Sequence, residues 1–173
     1  MLLWGSTLSG LRTVAQEGVN TVNRLDLYAA FLTKFPHFIQ WTADGERQGK
    51  AQIRLGVIGE DSFSDEAIRS IESQTFNGFP IKFVKLASIS AIDEIDMLFI
   101  HASERERVEE ITNAAKGKGT LTFAAIPRFC QRGGMINFVT IKGKTRFEIN
   151  LKRVTAERIK ISTKVLRMAR IRE

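Results

Sequence analysis

Residues 97–124 read MLFIHASERERVEEITNAAKGKGTLTFA. Met97 to Ile100 is a short, wholly apolar run, which suits a strand buried on both faces. Glu104 to Lys116 then carries Val108, Ile111 and Ala115 at helical spacing, with Ser103 as the predicted cap and Gly117 and Gly119 as the stop. Thr120 to Ala124 returns as a strand. Strand, helix, strand in this order is the unit of a parallel sheet, because the helix carries the chain back to start the next strand in the same direction.

The pattern continues upstream. Ile53 to Ile58 reads as a strand and Gly59 to Ser62 as the turn into a helix, with Asp61 or Ser62 as the predicted cap. Ala67, Ile68 and Ile71 form its inward face, and Phe63 packs at its start. Phe79 to Val84 alternates as a second strand, with Pro80 near its start, where proline is tolerated. Further back, Leu27, Tyr28, Phe31, Leu32 and Phe35 make one helical stripe, which Phe38, Ile39 and Trp41 extend. Pro36 inside this stripe predicts a kink near Leu32. Polar residues 43–50 read as a loop.

Downstream of Pro127 the pattern changes. Met135 to Thr140 and Thr145 to Leu151 read as a hairpin around Ile141–Lys144. Ser162 opens a predicted last helix, with Val165, Leu166 and Ala169 inward and Lys164, Arg167 and Arg170 outward. The expected class is α/β, a mostly parallel sheet flanked by helices, with a C-terminal antiparallel hairpin and a final helix.

At 173 residues the chain fits one domain. It buries roughly two-thirds of its unfolded surface and needs no disulfide or metal to fold. A single cysteine excludes an intrachain disulfide and any multi-cysteine metal site, and two distant histidines offer little more. No apolar run reaches the ~18 residues of a membrane span. Residues 1–23 pair a diluted apolar stretch, Leu2 to Leu11, with small residues at Thr13–Ala15. They read as a residual signal peptide or a disordered tail, with 24–173 as the folded domain. The expectation is an exported protein whose true start lies upstream of Met1.

Charge is unevenly placed. Residues 1–125 hold 13 Lys and Arg against 16 Asp and Glu, a balance of −3, and residues 126–173 hold 13 against 3, a balance of +10. Such a C-terminal third suits an acidic protein face, anionic headgroups at a membrane surface, or a merely solvated surface. Nucleic acid is not expected, because no recognition module organises the charge.

Little catalytic chemistry is legible. The turn GEDSF after the first predicted strand lacks the spacing of nucleotide-binding loops, and Glu60 and Asp61 would repel a phosphate. A phosphoacceptor receiver would need an aspartate at the far end of the third strand, and Asp96 sits at the near end. Cys130 with His101 is a pair without a visible third member.

The C-terminal blocks carry a resemblance. Gly133, Gly134, Met135, Ile136 and Phe138, then Arg146, Phe147, Glu148, Ile149 and Asn150, then Ile161, Ser162, Leu166 and Ala169 resemble, in order, the signature of the YfiR family. Phe35, Phe38, Ile39 and Trp41 resemble its N-terminal element, so the likeness spans roughly residues 25–171. It implies a periplasmic, non-catalytic α/β protein without cofactor or metal. Such a protein would self-associate as a homodimer and restrain an inner-membrane diguanylate cyclase through the cyclase's periplasmic sensor region. Many relatives carry paired cysteines near the glycine block, whereas Cys130 stands alone here. The candidate motif and interaction residues are Trp41, Gly133, Gly134, Met135, Phe138, Arg146, Glu148, Asn150, Ser162, Lys164, Arg167 and Arg170. Among them, Glu148 and Asn150 alternate with apolar residues on a strand, which predicts structural work and a helix cap for Asn150. The alternative function is a periplasmic small-ligand module with its crevice near Gly59, Ala102 and Gly133.

Overall fold

The computed structural model describes residues 14–41, 51–60 and 63–172, with side chains from Arg24 onward. Of the expected signal segment or tail, residues 1–13 lie outside the described residues, and residues 14–23 fall in the first helix. Helix α1 (Val14–Lys34) stops where Pro36 removes a backbone donor. A 3-10 turn, Phe35–Phe38, takes that proline at its start and leads into β1 (Ile39–Trp41). Pro36 therefore ends the helix instead of kinking it, and Ile39 and Trp41 belong to a strand.

Strand β2 (Ile53–Ile58) leads to α2 (Asp65–Glu72). The cap of α2 is Ser64, whose Oγ accepts from the Ala67 amide at 3.1 Å. It replaces the expected Asp61 or Ser62, which lie outside the described residues. Strands β3 (Thr75–Phe76) and β4 (Phe79–Leu86) form a small hairpin that the sequence reading missed. Its turn residues Asn77 and Gly78 have φ of 51° and 82°, the left-handed pair that an Asn-Gly turn supplies.

After β5 (Met97–Ile100) the chain makes a 3-10 segment, Ala102–Arg107, before α3 (Val108–Ala114). The helix is thus shorter than predicted. Its preceding segment is capped by His101, whose Nδ1 accepts from the Ser103 amide at 3.2 Å. β6 (Leu121–Ala124), β7 (Ile136–Ile141) and β8 (Lys144–Asn150) follow. The chain closes with α4 (Leu151–Ala156), β9 (Ile159–Ile161), α5 (Thr163–Leu166) and β10 (Ala169–Arg172). The predicted final helix is therefore one turn only. Ala169 and Arg170 lie on a strand, because after Arg167 the chain pairs beside β8.

The main sheet has the order β10-β8-β7-β6-β5-β2-β4-β3 and is parallel except within its two hairpins. A second, antiparallel pair joins β1 to β9. The expected α/β class is found. Period-two alternation divides the core into two clusters. Met97, Phe99, Leu121 and Phe123 face one way, against α1, α2 and α5. Leu98, Ile100 and Ala124 face the other, against Val108, Ile111 and Ala115 around α3. Each fully buried Leu, Ile or Phe contributes about 1.5–3 kcal/mol, so the doubly covered middle strands anchor the fold.

Candidate functional site

The glycine block is shaped by one aromatic ring. After the 3-10 turn Cys130–Arg132, Gly133 takes φ of +88°, a region that favours glycine. Gly134 donates to the Phe129 carbonyl at 3.0 Å. A Cβ on Gly134 would stand 2.2 Å from the Phe129 ring, so the ring lies against bare backbone. Arg132 clamps this turn to α3 with two bonds of 2.5 Å to the Glu109 carboxylate. The guanidinium holds the Glu109 carboxyl well down, to about 2. Met135 is buried, and its amide donates to Thr122 Oγ1 at 3.1 Å.

The next block locks onto the first. Phe147 and Ile149 enter the core, and Phe147 meets Phe138, which stacks on Tyr28 at 4.7 Å between ring centres. Asn150 holds three groups at once. Its amide donates to the Met135 carbonyl (2.8 Å), its Nδ2 to the Cys130 carbonyl (2.9 Å), and its Oδ1 accepts from the Arg153 amide, capping α4 (3.0 Å). Asn137, which the sequence reading did not single out, is buried and binds both the amide and the carbonyl of Ile126, at 3.1 and 2.9 Å.

Glu157 was also missed. Buried beside α4, it accepts from the amides of Gly117 and Gly119 and pairs with Arg153 at 2.7 Å. Trp41 closes the same corner, its ring N–H donating to the Gly119 carbonyl at 3.1 Å. A lone Glu in a polar stretch carries no sequence signal for this. The partner glycines lie about forty residues away and become visible only in the fold. Ser162 stands at the N-cap of α5, and its amide donates to the Phe38 carbonyl at 2.8 Å. Its hydroxyl makes no cap bond and is buried without a hydrogen-bond partner among the described residues.

These placements bear on catalysis. Cys130 is buried, and burial, then the neighbouring Glu148 carboxylate, pushes its thiol up to about 12. Its Sγ lies 3.5 Å from the Glu148 carbonyl and 3.6 Å from that of Met135. A neutral, enclosed thiol is a poor nucleophile. His101 is engaged with Ser103, whose Oγ also receives the Glu60 amide. Among the described residues, no three of His, Cys, Asp and Glu converge as metal ligands would. Two glycines of the expected ligand crevice are tightly packed. A Cβ on Gly59 would meet His101 at 2.6 Å, and one on Gly133 would meet Thr112 at 2.9 Å.

The remaining candidates are charged, and all but Glu148 are exposed. Glu148 is buried on the β8 face opposite Phe147 and carries Arg172 and, at 3.7 Å, Arg170. Lys144 and Arg146 share that face by alternation and are exposed. This face thus carries four cations and one carboxylate, two of the cations at the carboxylate itself. Lys164 lies over the Phe38 ring at 5.7 Å and Arg167 is exposed, both on the α5 turn. Between α1 and α5 runs an apolar groove of about 220 Å³, lined by Phe31, Phe35, Phe38, Phe147, Val165 and Met168, with Lys34 among its walls. A wider, more open groove of about 540 Å³ lies beside β10, lined by Leu151, Lys152, Thr155, Ile171 and Arg172.

No curated protein matches the chain. Among solved structures, a conserved domain protein from Vibrio cholerae O1 biovar El Tor is similar at a TM-score of 0.55 and 11% identity, over 86% of this chain and 60% of that one. An ABC domain from Streptococcus pneumonia, solved in complex with L-Trp, is similar at a TM-score of 0.50 and 12% identity, over 69% of this chain and 55% of that one. The chain spans less than two thirds of either, and at these identities the likeness shows the fold alone. The family model described as YfiR/HmsC-like matches residues 25–170, from α1 through β10, and so takes in every motif block placed above. This chain belongs to the YfiR/HmsC-like family.

Proposed function

We propose that the protein is a periplasmic, non-catalytic regulator that binds the periplasmic region of a membrane sensor, a diguanylate cyclase, and restrains it. Membership in the family suggests a regulator of diguanylate cyclase signalling. One observation carries the finer reading: the motif residues divide cleanly by place. Gly133, Gly134, Met135, Phe138 and Asn150 are taken up in packing and backbone bonds, while Arg146, Lys164, Arg167 and Arg170 stand exposed on the same end of the sheet. A rigid scaffold that presents one sign of charge is suited to docking, since complementary charge speeds encounter and orients it. Among the described residues no helix is long and apolar enough to cross a membrane. The membrane would then be reached through a partner or by peripheral contact of the basic face. Self-association as a homodimer belongs to the same reading.

Deleting the gene should raise cellular cyclic-di-GMP, and fractionation should recover the protein with the periplasm. Unchanged cyclic-di-GMP with the protein confined to the cytoplasm contradicts the proposal. A small-ligand role draws no support from the L-Trp-bound neighbour, whose identity of 12% carries only the fold.

A further inference from the structure

We infer that the outer edge of β10 takes an extended segment of the partner as an added strand, and that this segment alternates acidic with apolar residues. The inference rests on the docking role proposed above and names its geometry. β10 is the last strand of the main sheet and pairs with β8 alone among the described residues. Its other edge therefore carries backbone donors and acceptors that no described strand fills, which is the template for strand addition.

The two faces beside that edge differ in chemistry. Ala169 packs on the aromatic core, and Ile171, two residues on, is 41% exposed next to the groove lined by Leu151 and Thr155. Met168 just before them is 52% exposed. On the opposite face Arg170 and Arg172 share Glu148, and Lys144 and Arg146 lie on the same face of β8. One carboxylate against four cations leaves that face in positive excess. An incoming strand alternates its side chains as β10 does, so one set covers Ile171 and the other meets the arginines. A second copy of β10 would bring arginine against arginine, since like charges directly across a strand pair destabilise it. The charge thus selects an acidic segment over self-pairing.

The test uses the full chain and a short fluorescent peptide alternating Glu and Val, followed by anisotropy and by hydrogen exchange of residues 169–172. The peptide should bind, slow exchange on β10 and weaken with salt. A version N-methylated at alternate backbone nitrogens keeps the charge and loses roughly two hydrogen bonds, so it should bind on the order of tenfold more weakly. Arg170→Glu should weaken the parent peptide, and a Lys–Val peptide should not bind. Equal binding of the methylated peptide would show charge attraction without strand addition and would overturn the inference. So would β10 amides already protected in the free protein, which would mean that residues 1–13 or a second copy occupy the edge. If the protein still captures its membrane sensor while the peptide neither binds nor competes, the inference fails and the regulatory reading stands.

Discussion

The middle of the sheet and its β10 end are built on opposite rules. β5 and β6 are buried on both faces and paired on both edges, and every residue of each is inaccessible. Among the described residues β10 pairs on one edge, and it carries an exposed isoleucine and two arginines leaning on a single carboxylate. The turn at Gly133–Gly134 is the hinge of this contrast in sequence but belongs structurally to the interior. Family-motif residues therefore do two jobs. Gly133, Gly134, Met135, Phe138, Phe147, Ile149 and Asn150 are taken up in the interior and its backbone bonds, whereas Arg146 and Arg170 are exposed.

That division makes graded predictions. Gly134→Val should have the largest effect, because its Cβ would overlap the Phe129 ring and its branches would add to the clash. Overpacking of this kind costs about 3 kcal/mol or more, and the variant should lose its cooperative thermal transition. Asn137→Ala comes next. It strands the amide of Ile126 in the core, while the Ile126 carbonyl keeps the Phe129 amide at 3.2 Å, and an unmet buried group costs about 1–3 kcal/mol, to be read from urea unfolding.

Asn150→Ala should cost about 1 kcal/mol for the cap alone, and more if the Cys130 carbonyl stays unmet. A melting temperature equal to the parent's would show that the bonds at Asn150 do not stabilise the fold. Ser162→Ala should be near neutral or slightly stabilising, since a buried hydroxyl without a partner is removed and no bond is lost. A large loss there would point to a contact on that hydroxyl formed in a complex.

Cys130 sharpens the same contrast chemically. With the thiol held near 12, a thiol reagent at pH 8 should label the native protein far more slowly than the denatured one. Rapid native labelling would mean that the glycine block opens readily. At the exposed end of the scale, the Glu109 carboxyl lies well below its ordinary value through Arg132. Its contribution is present above about pH 4.5 and is lost as the pH falls towards 2, so Glu109→Gln should lower stability slightly at neutral pH and converge with the parent as the pH falls towards 2.

Much of the interior was legible because burial writes itself as apolar runs. MLFI at 97–100 and the strand–helix–strand unit around it fixed the parallel sheet, and the alternation in RFEIN placed Phe147 and Ile149 inward. The failures lie where short local choices decide. Pro36 ends a helix that periodicity would continue. VLRMAR reads as a helical turn, and its second half becomes β10 because pairing with β8 outweighs local propensity. The Asn77-Gly78 pair is the usual signal of a tight hairpin turn, and it adds β3 to the edge of β4. Glu157, Asn137 and Arg172 could not be found from sequence, since each is defined by partners brought near only by folding.

The most direct test of the account reverses the charge at the exposed end and leaves the interior alone. The tagged parent and a variant with Arg146→Glu, Lys164→Glu, Arg167→Glu and Arg170→Glu would be used to capture proteins from membranes after mild crosslinking, across a range of salt. Exposed charges act over a Debye length of about 8 Å at physiological ionic strength, so raised salt should mimic the variant. The account predicts that the parent captures a membrane sensor, that the yield falls with salt, and that the variant melts near the parent temperature yet captures little at any salt. Equal capture of the same sensor by a folded variant at low salt would contradict it, and would return the basic end of the sheet to a solvated surface.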